Sequence, residues 1–480
     1  MCPTEELSTI FADHPADAHV HVIIGTLPPG NLVVQREIFL DANAPKSPSI
    51  YARAEEFYSQ QNDVSQNILC GCPRPTDAPI PVTLLHPVFG QFIDDCESHT
   101  VTMEDSAFLL RLSTAMSAFN SDVETRAQTI RDEFADWGLH FIRSNIEGTS
   151  YEIQGDMSVD GHRYAIAEFA NEIGFEGADP YVQASLRYLE STRMHALEFP
   201  GSALPCFIIL VFGPYIAFAG AAWNMRPSIQ ILSAGLPLHY HYTDSKMEIT
   251  AARHMCAMKK AVHSLQEYYQ AYPPPASSLS HSQLFPYRTY FTSRADGSRQ
   301  DFEYTWQPSL ERLLFFGTLR DKNDICVKFV RSYSDTAHAL CASMGRAPAL
   351  RGFERLPGGW LMVVMDALRA DDYLDFRGSE PSSVLLAGIK ETLTRLHDAG
   401  YVHGDVRNKN IMVSKHDNMR FMLVDFDLAG KIGEVRYPMH LNRELWWPEG
   451  AVDYALISAD HDIAMLRHIA YQYGVRWPPV

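Results

Sequence analysis

"YVHGDVRNKNIMV" (residues 401–413) sets a His, an Asp two residues on and an Asn five residues further ahead of an apolar run. That spacing suits a loop that positions a phosphate and a magnesium ion. Metal-assisted phosphoryl transfer needs a cation on the nucleotide phosphates, oxygen ligands for Mg2+ and a carboxylate to orient the attacking hydroxyl. The chain offers these groups in order. Lys328 lies in "CVKFV", Asp405 and Asn410 lie in the loop, and Asp425 lies in "VDFD" after the strand-like "FMLV". Singly they are ordinary, since a lone loop Asp or Asn is usually a turn residue and a lone Lys a solvated charge. Their combination, with the strand and helix order between them, carries the reading.

"HGDVRNKN" followed by "VDFDLAG" is similar to the catalytic loop and metal-binding loop of the protein-kinase-like fold. The Gly after the His resembles the branch shared with small-molecule kinases such as aminoglycoside and choline kinases. The resemblance implies ATP and Mg2+ as cofactors and assigns roles by position. Asp405 is then the catalytic base, Asn410 and Asp425 hold Mg2+, and Lys328 contacts the α/β-phosphates. His403 is a structural member of the loop. Asp462, in "ADHDIAML", resembles the buried helix Asp that braces it. Gly317 in "FFGTL" stands for the Gly-rich phosphate loop, and Asp366, where the strand "GGWLMVVMD" leaves into a connection, counts as a further nucleotide-binding position. The chain departs from the family at four places. The Gly-rich loop is reduced to Gly317. The helix after Lys328 offers only Asp335 and His338 where a Glu would pair with it. Asp427 stands where a Gly is usual, and no Arg precedes Asp405.

A length of 480 residues exceeds one ordinary core and implies two or three domains. A net charge of −18 excludes broad, passive binding of nucleic acid. The eight cysteines are scattered without a zinc-type pair, as expected of free thiols in a reducing compartment. The start of the chain lacks the basic region and long apolar core of a signal peptide, so an intracellular protein, cytoplasmic or nuclear, is expected. "CFIILVFGPYIAFAGAAW" (206–223) approaches a membrane span in length, but Gly213-Pro214 breaks it into two buried strands, so no membrane partner is expected.

Residues 1–88 read as a leader with one strand, "AHVHVIIGTLPPGN", and Pro-rich loops. Helical spacing follows over 103–119 and 121–136, then a hairpin at Asp160-Gly161, a helix from Asp179-Pro180, the two apolar strands and a helix over 250–272. "PPPASSLSHS" (273–282) is the clearest linker, and 283–480 holds the kinase-like elements. The element order of 89–272 resembles the core of the PD-(D/E)XK nuclease-like superfamily. That family binds a divalent metal through an Asp and a Glu on adjacent strands. The corresponding positions are Asp156 (or Asp160), Glu168 and Gln183, with Glu124 as an extra acid. The activating Lys is replaced by Ala170.

The expected fold class is therefore α+β and multidomain: an α/β restriction-endonuclease-like region in the middle and a two-lobed protein-kinase-like fold at the C-terminus. The whole resembles the fungal-type and Crinkler-type protein kinases of basidiomycete fungi, most through "VDFDLAGKIGEVRYP" and "LNRELWWPEGA". The resemblance implies a Ser/Thr kinase acting on a protein substrate. The alternatives are a small-molecule kinase, a catalytically weak scaffold and a metal-dependent nuclease. A nucleic-acid partner would bind through the middle region.

Overall fold

Helix α1 (Leu32–Ala42) carries the fully buried Arg36, whose guanidinium donates to the carbonyls of Ala196, Ser202 and Asn224 at 3.0, 3.2 and 2.8 Å. The computed structural model describes residues 32–76, 78–119, 122–171, 177–271, 284–310, 312–379 and 381–478. The strand expected at 18–31 and the linker at 273–282 lie outside them. Far from forming a separate leader, α1, α2 (Pro48–Tyr51) and α3 (Ala54–Asn62) place Phe39, Ala52 and Phe57 in the core of the following region. The β-branched mixture "LVVQREIFLD" hid this first helix.

Four helices follow: α4 (Val82–Leu85), α5 (Pro87–Ser98), α6 (Met103–Ser117) and α7 (Val123–Asp136). Next come β1 (Ile142–Asn145), β2 (Glu152–Val159), β3 (His162–Ala170), α8 (Pro180–Glu198), β4 (Cys206–Phe212), β5 (Tyr215–Trp223), β6 (Pro227–Ile231), β7 (Leu236–Pro237) and α9 (Ser245–Gln270). The sheet runs β1-β2-β3-β4-β5-β6 with β7 beside β5, and only β3 and β4 pair in parallel, through the crossover helix α8. Asp160 and Gly161 take positive φ (48° and 80°), the turn geometry an Asp-Gly hairpin needs. Asp179 caps α8 by accepting from the N–H groups of Tyr181 and Val182. The apolar run at 206–223 is the β4–β5 hairpin, and among the described residues no helix is long and apolar enough to cross a membrane. Along β3 and β4 the side chains alternate. Ile166 and Ile208 pack with residues of α8, while Ala165, Ala167, Phe207 and Ile209 join the core shared with α5, α6, α7 and α9.

The next sheet contains β8 (Tyr290–Thr292), β9 (Arg299–Trp306), β10 (Leu314–Leu319), β11 (Asp324–Val330), β12 (Leu350–Leu356) and β13 (Trp360–Asp366), with α10 (Asp335–Ser343) between β11 and β12. Its order is β12-β13-β11-β10-β9-β8, antiparallel throughout. One face turns Val363, Met365 and Cys326 towards the cleft side. The other turns Trp360, Met362, Val364 and Phe329 into the same core as Phe89 and Phe92 of α5. Trp360 Nε1 donates to Thr83 Oγ1 at 2.9 Å, and the Gly358 N–H donates to Asp94 Oδ1 at 3.0 Å. A Cβ on Gly90 would lie 2.5 Å from the Pro357 carbonyl oxygen, so only glycine permits this approach. The middle region and the upper lobe therefore share one interior. A fragment starting at residue 284 should expose that apolar face and aggregate on expression, whereas 32–480 stays soluble; a soluble, monomeric 284–480 fragment would contradict the shared core.

The lower part comprises β14 (Tyr373–Asp375), α11 (Ser383–Asp398), β15 (Tyr401–Val402), β16 (Ile411–Ser414), β17 (Phe421–Leu423), β18 (Gly430–Lys431) and α12 (Ala459–Gln472). Ala337 and Cys341 of α10 belong to its core, together with Leu386 and Leu393 of α11. Helix α10 is thus seated on the lower core as well as beside β12.

Candidate active site

The loop at 403–410 is held from beneath. Asp462, fully buried in the first turn of α12, accepts from the backbone N–H groups of His403 (2.8 Å) and Gly404 (2.7 Å) and pairs with His397 Nε2 (2.9 Å). Gly404 has φ 80°, and a Cβ there would meet the Leu428 carbonyl oxygen at 2.6 Å. The Gly after the His is therefore a requirement of this backbone, where an Arg would not fit. Asp405 is 5% exposed, and both its oxygens accept from the Arg407 guanidinium. Asn410 Nδ2 donates to the Asp405 carbonyl (2.9 Å) and to its Oδ2 (2.8 Å). This directs the amide nitrogen inward and leaves the amide oxygen, the group that ligates a hard cation, for the site.

Across the cleft, Lys328 on β11 donates to Asp425 Oδ1 and Asp427 Oδ1, each at 2.5 Å. Asp425 adopts φ 71°, a left-handed conformation that bends the chain just after β17 and presents its carboxylate to the lysine. Burial disfavours the charges of all three groups. At Lys328 the two carboxylates outweigh burial and hold the ammonium above its ordinary value. At Asp427 burial prevails, helped by the Asp425 charge and against Lys328, and pushes its carboxyl up to about 7. At Asp425 burial is outweighed by Lys328, which holds the carboxyl down at about 2. Asp425 is thus the more firmly ionised of the two. Phe426 between them is fixed by aromatic contacts. The His338 ring stacks on it (4.8 Å, 3°), and the His403 ring lies 4.9 Å away. His338 is fully buried, bonded to Tyr333 Oη (2.7 Å) and the Pro348 carbonyl (2.8 Å), and burial pushes it down to about 4, so it is neutral.

Lys328 is bonded to Asp425, the Val424 N–H donates to the Asn410 carbonyl at 3.0 Å, and Asn410 is bonded to Asp405, which brings the four residues together with His403 and Asp462 beneath. Two sequence expectations are corrected. Gly317 lies inside β10, opposite Ile325 and Tyr304, where a side chain would strike the Glu303 carbonyl. The connection from β9 to β10, whose described residues are 307–310 and 312–313, contains no glycine. Strand β9 went unnoticed, although the alternation Phe302, Tyr304, Trp306 marks it. Asp366 ends β13, an inner strand of the sheet, with its carboxylate engaged in an ion pair with Arg351 of β12 at 2.6 Å. Sequence reasoning also missed Arg407, though its place two residues after Asp405 was the available signal. Lys409, half-buried, is held below its usual value by burial and by the nearby Arg407 and Arg312 guanidinium groups.

The four positions of the second constellation do not fit a metal centre. Asp156 is buried against Arg163 (3.2 Å) and accepts from Ser144 Oγ. Glu168 is buried against Arg187 of α8. Glu124 pairs with Arg131 and Arg143 at 2.7 and 3.1 Å, and Gln183 lies one turn before Arg187. Guanidinium groups occupy the carboxylates that would face a cation, and Ala170 supplies none of the charge that water activation needs.

A sequence model of the family described as "Lipopolysaccharide kinase (Kdo/WaaP) family" matches residues 373–437, from β14 past Asp425. Among solved structures, the chain is similar to the PK-1 kinase of Cydia pomonella granulovirus (16% identity, TM-score 0.28), over 33% of this chain and 63% of that one. It is also similar to vaccinia related kinase 3 (15% identity, TM-score 0.30), over 41% of this chain and 70% of that one. The chain thus spans less than two thirds of the viral kinase. No curated protein matches it. The family match coincides with the loop and carboxylates described above, and the chain is kinase-like there.

Proposed function

We propose that the protein is an ATP- and Mg2+-dependent phosphotransferase acting on a hydroxyl, most simply a Ser/Thr side chain of a protein. The observation that carries this reading is the convergence of Lys328 with Asp425 opposite the Asp405–Asn410 loop. Asn410 and Asp425 supply the oxygen ligands Mg2+ takes, and Mg2+ in such a site neutralises charge on the transferring phosphate. Lys328 aims its ammonium at the α/β-phosphates. Asp405, fixed in orientation by the Arg407 guanidinium, accepts the proton of the acceptor hydroxyl. The middle region supports the upper lobe in the manner of a nuclease-like fold without a working metal site, as in fungal-type kinases fused to such a region.

A second reading, a kinase of sugar or other small-molecule hydroxyls, is favoured by Gly404 and by the family description matched at 373–437. The test is a thermal-shift titration with Mg-ATP followed by transfer from labelled ATP. Saturating nucleotide should stabilise the wild type by about 2–4 kcal/mol and Lys328→Ala far less. An equal shift in the variant, or none in the wild type, would falsify the assignment. Label entering protein supports the first reading; label entering only a small-molecule pool supports the second.

A further inference from the structure

We propose that Asp427 positions Lys328 for the nucleotide, taking over from a carboxylate on α10; the inference rests on the phosphotransferase reading. The ammonium of Lys328 has two acceptors, Asp425 Oδ1 and Asp427 Oδ1, at the same 2.5 Å. In a charged site those acceptors have different duties. Asp425 shares with Asn410 the binding of a hard cation, and a carboxylate committed to a divalent ion attracts a lysine less strongly. A second acceptor then decides whether the ammonium stays aimed into the cleft.

Helix α10 cannot provide that acceptor. Its one acid, Asp335, is tied to Arg294 at 2.8 Å. The residue it turns inward is His338, stacked on Phe426 and bonded to Tyr333 and Pro348. The helix is also seated on the lower core through Ala337 and Cys341, so no shift of α10 substitutes a carboxylate at Lys328. Asp427 follows Phe426 directly, and the ring contacts that fix Phe426 fix Asp427 with it. An Asp at this position, where a glycine is usual, therefore complements the missing helix acid. The lysine anchor and the metal-binding residue sit on one three-residue segment.

The experiment is a double-mutant cycle on nucleotide affinity. A fluorescent ATP analogue is titrated into the full chain as wild type, Asp427→Asn, Lys328→Ala and the double variant, with Mg2+ and again with EDTA. Asp427→Asn should weaken binding about tenfold with Mg2+, the loss expected for a charge-assisted contact, and by less with EDTA, where Asp425 alone can hold the ammonium. It should weaken the Lys328→Ala protein no further, and Asp427→Glu, which keeps the carboxylate, should recover most of the loss. Independent losses in the double variant, a loss as large with EDTA as with Mg2+, or Asp427→Glu no better than Asn would each overturn the proposal while leaving the phosphotransferase reading standing. A wild type that binds no nucleotide removes that reading, and this inference with it.

Discussion

Asp405→Asn should lower the rate of phosphate transfer by about 100- to 10,000-fold, the range expected when a positioned general base is removed. The substitution keeps the shape of the side chain and its place beside Arg407 and Asn410, but removes the negative charge that draws the acceptor hydroxyl. Nucleotide affinity should change little, because Lys328 and the Asn410–Asp425 pair, on separate elements, carry it. A single-turnover assay with labelled ATP separates the two quantities. Transfer retained within tenfold of wild type would remove Asp405 from the role of base. If affinity collapses as well, Asp405 is part of the nucleotide site instead.

Asp462→Ala should be the most disruptive substitution for the lower part of the protein. Three donors, the N–H groups of His403 and Gly404 and the His397 ring, end on this one fully buried carboxylate. Removing it strands two backbone N–H groups with no alternative acceptor, at about 1–3 kcal/mol each. We expect a loss of about 3–5 kcal/mol, in line with deleting one partner of a buried charged network. Amide hydrogen exchange reads it locally: the peptide covering 401–413 should exchange at least about a hundredfold faster in the variant, since 1.4 kcal/mol is a factor of ten. Unchanged protection there would show that the loop is braced by something else.

The separation of Lys328, Asp405, Asn410 and Asp425 could be read from the sequence because each lies beside a strand with a clear apolar pattern. Loop chemistry bounded by such strands keeps its register. The hairpin at Asp160-Gly161 and the helix start at Asp179-Pro180 were legible for a similar reason, since turn and cap residues act locally. What was not legible depended on distant partners. Arg407, two residues from Asp405, carried a local signal, but nothing local shows that Arg187 and Arg163 neutralise Glu168 and Asp156. The role of α1 depends on carbonyls more than 150 residues away, at Ala196, Ser202 and Asn224. Gly317 belongs to a strand and not to a loop because β9 as well as β11 pairs with it, a partnership that its own neighbours in sequence do not announce. The Pro-rich segment before residue 284 marked a boundary in composition, but not in packing, as the shared interior of Phe89, Phe92, Trp360 and Met362 shows.

Gly90 against Pro357 and Trp360 against Thr83 also tie the upper sheet to α5 and α4. With its outer face cemented to the middle region, the upper sheet cannot flex by itself. Any movement of the upper sheet against the lower part therefore carries α5 with it, while α10 stays packed on the lower core through Ala337 and Cys341. A displacement of the upper sheet is then a displacement of α4 and α5, which are pinned to it.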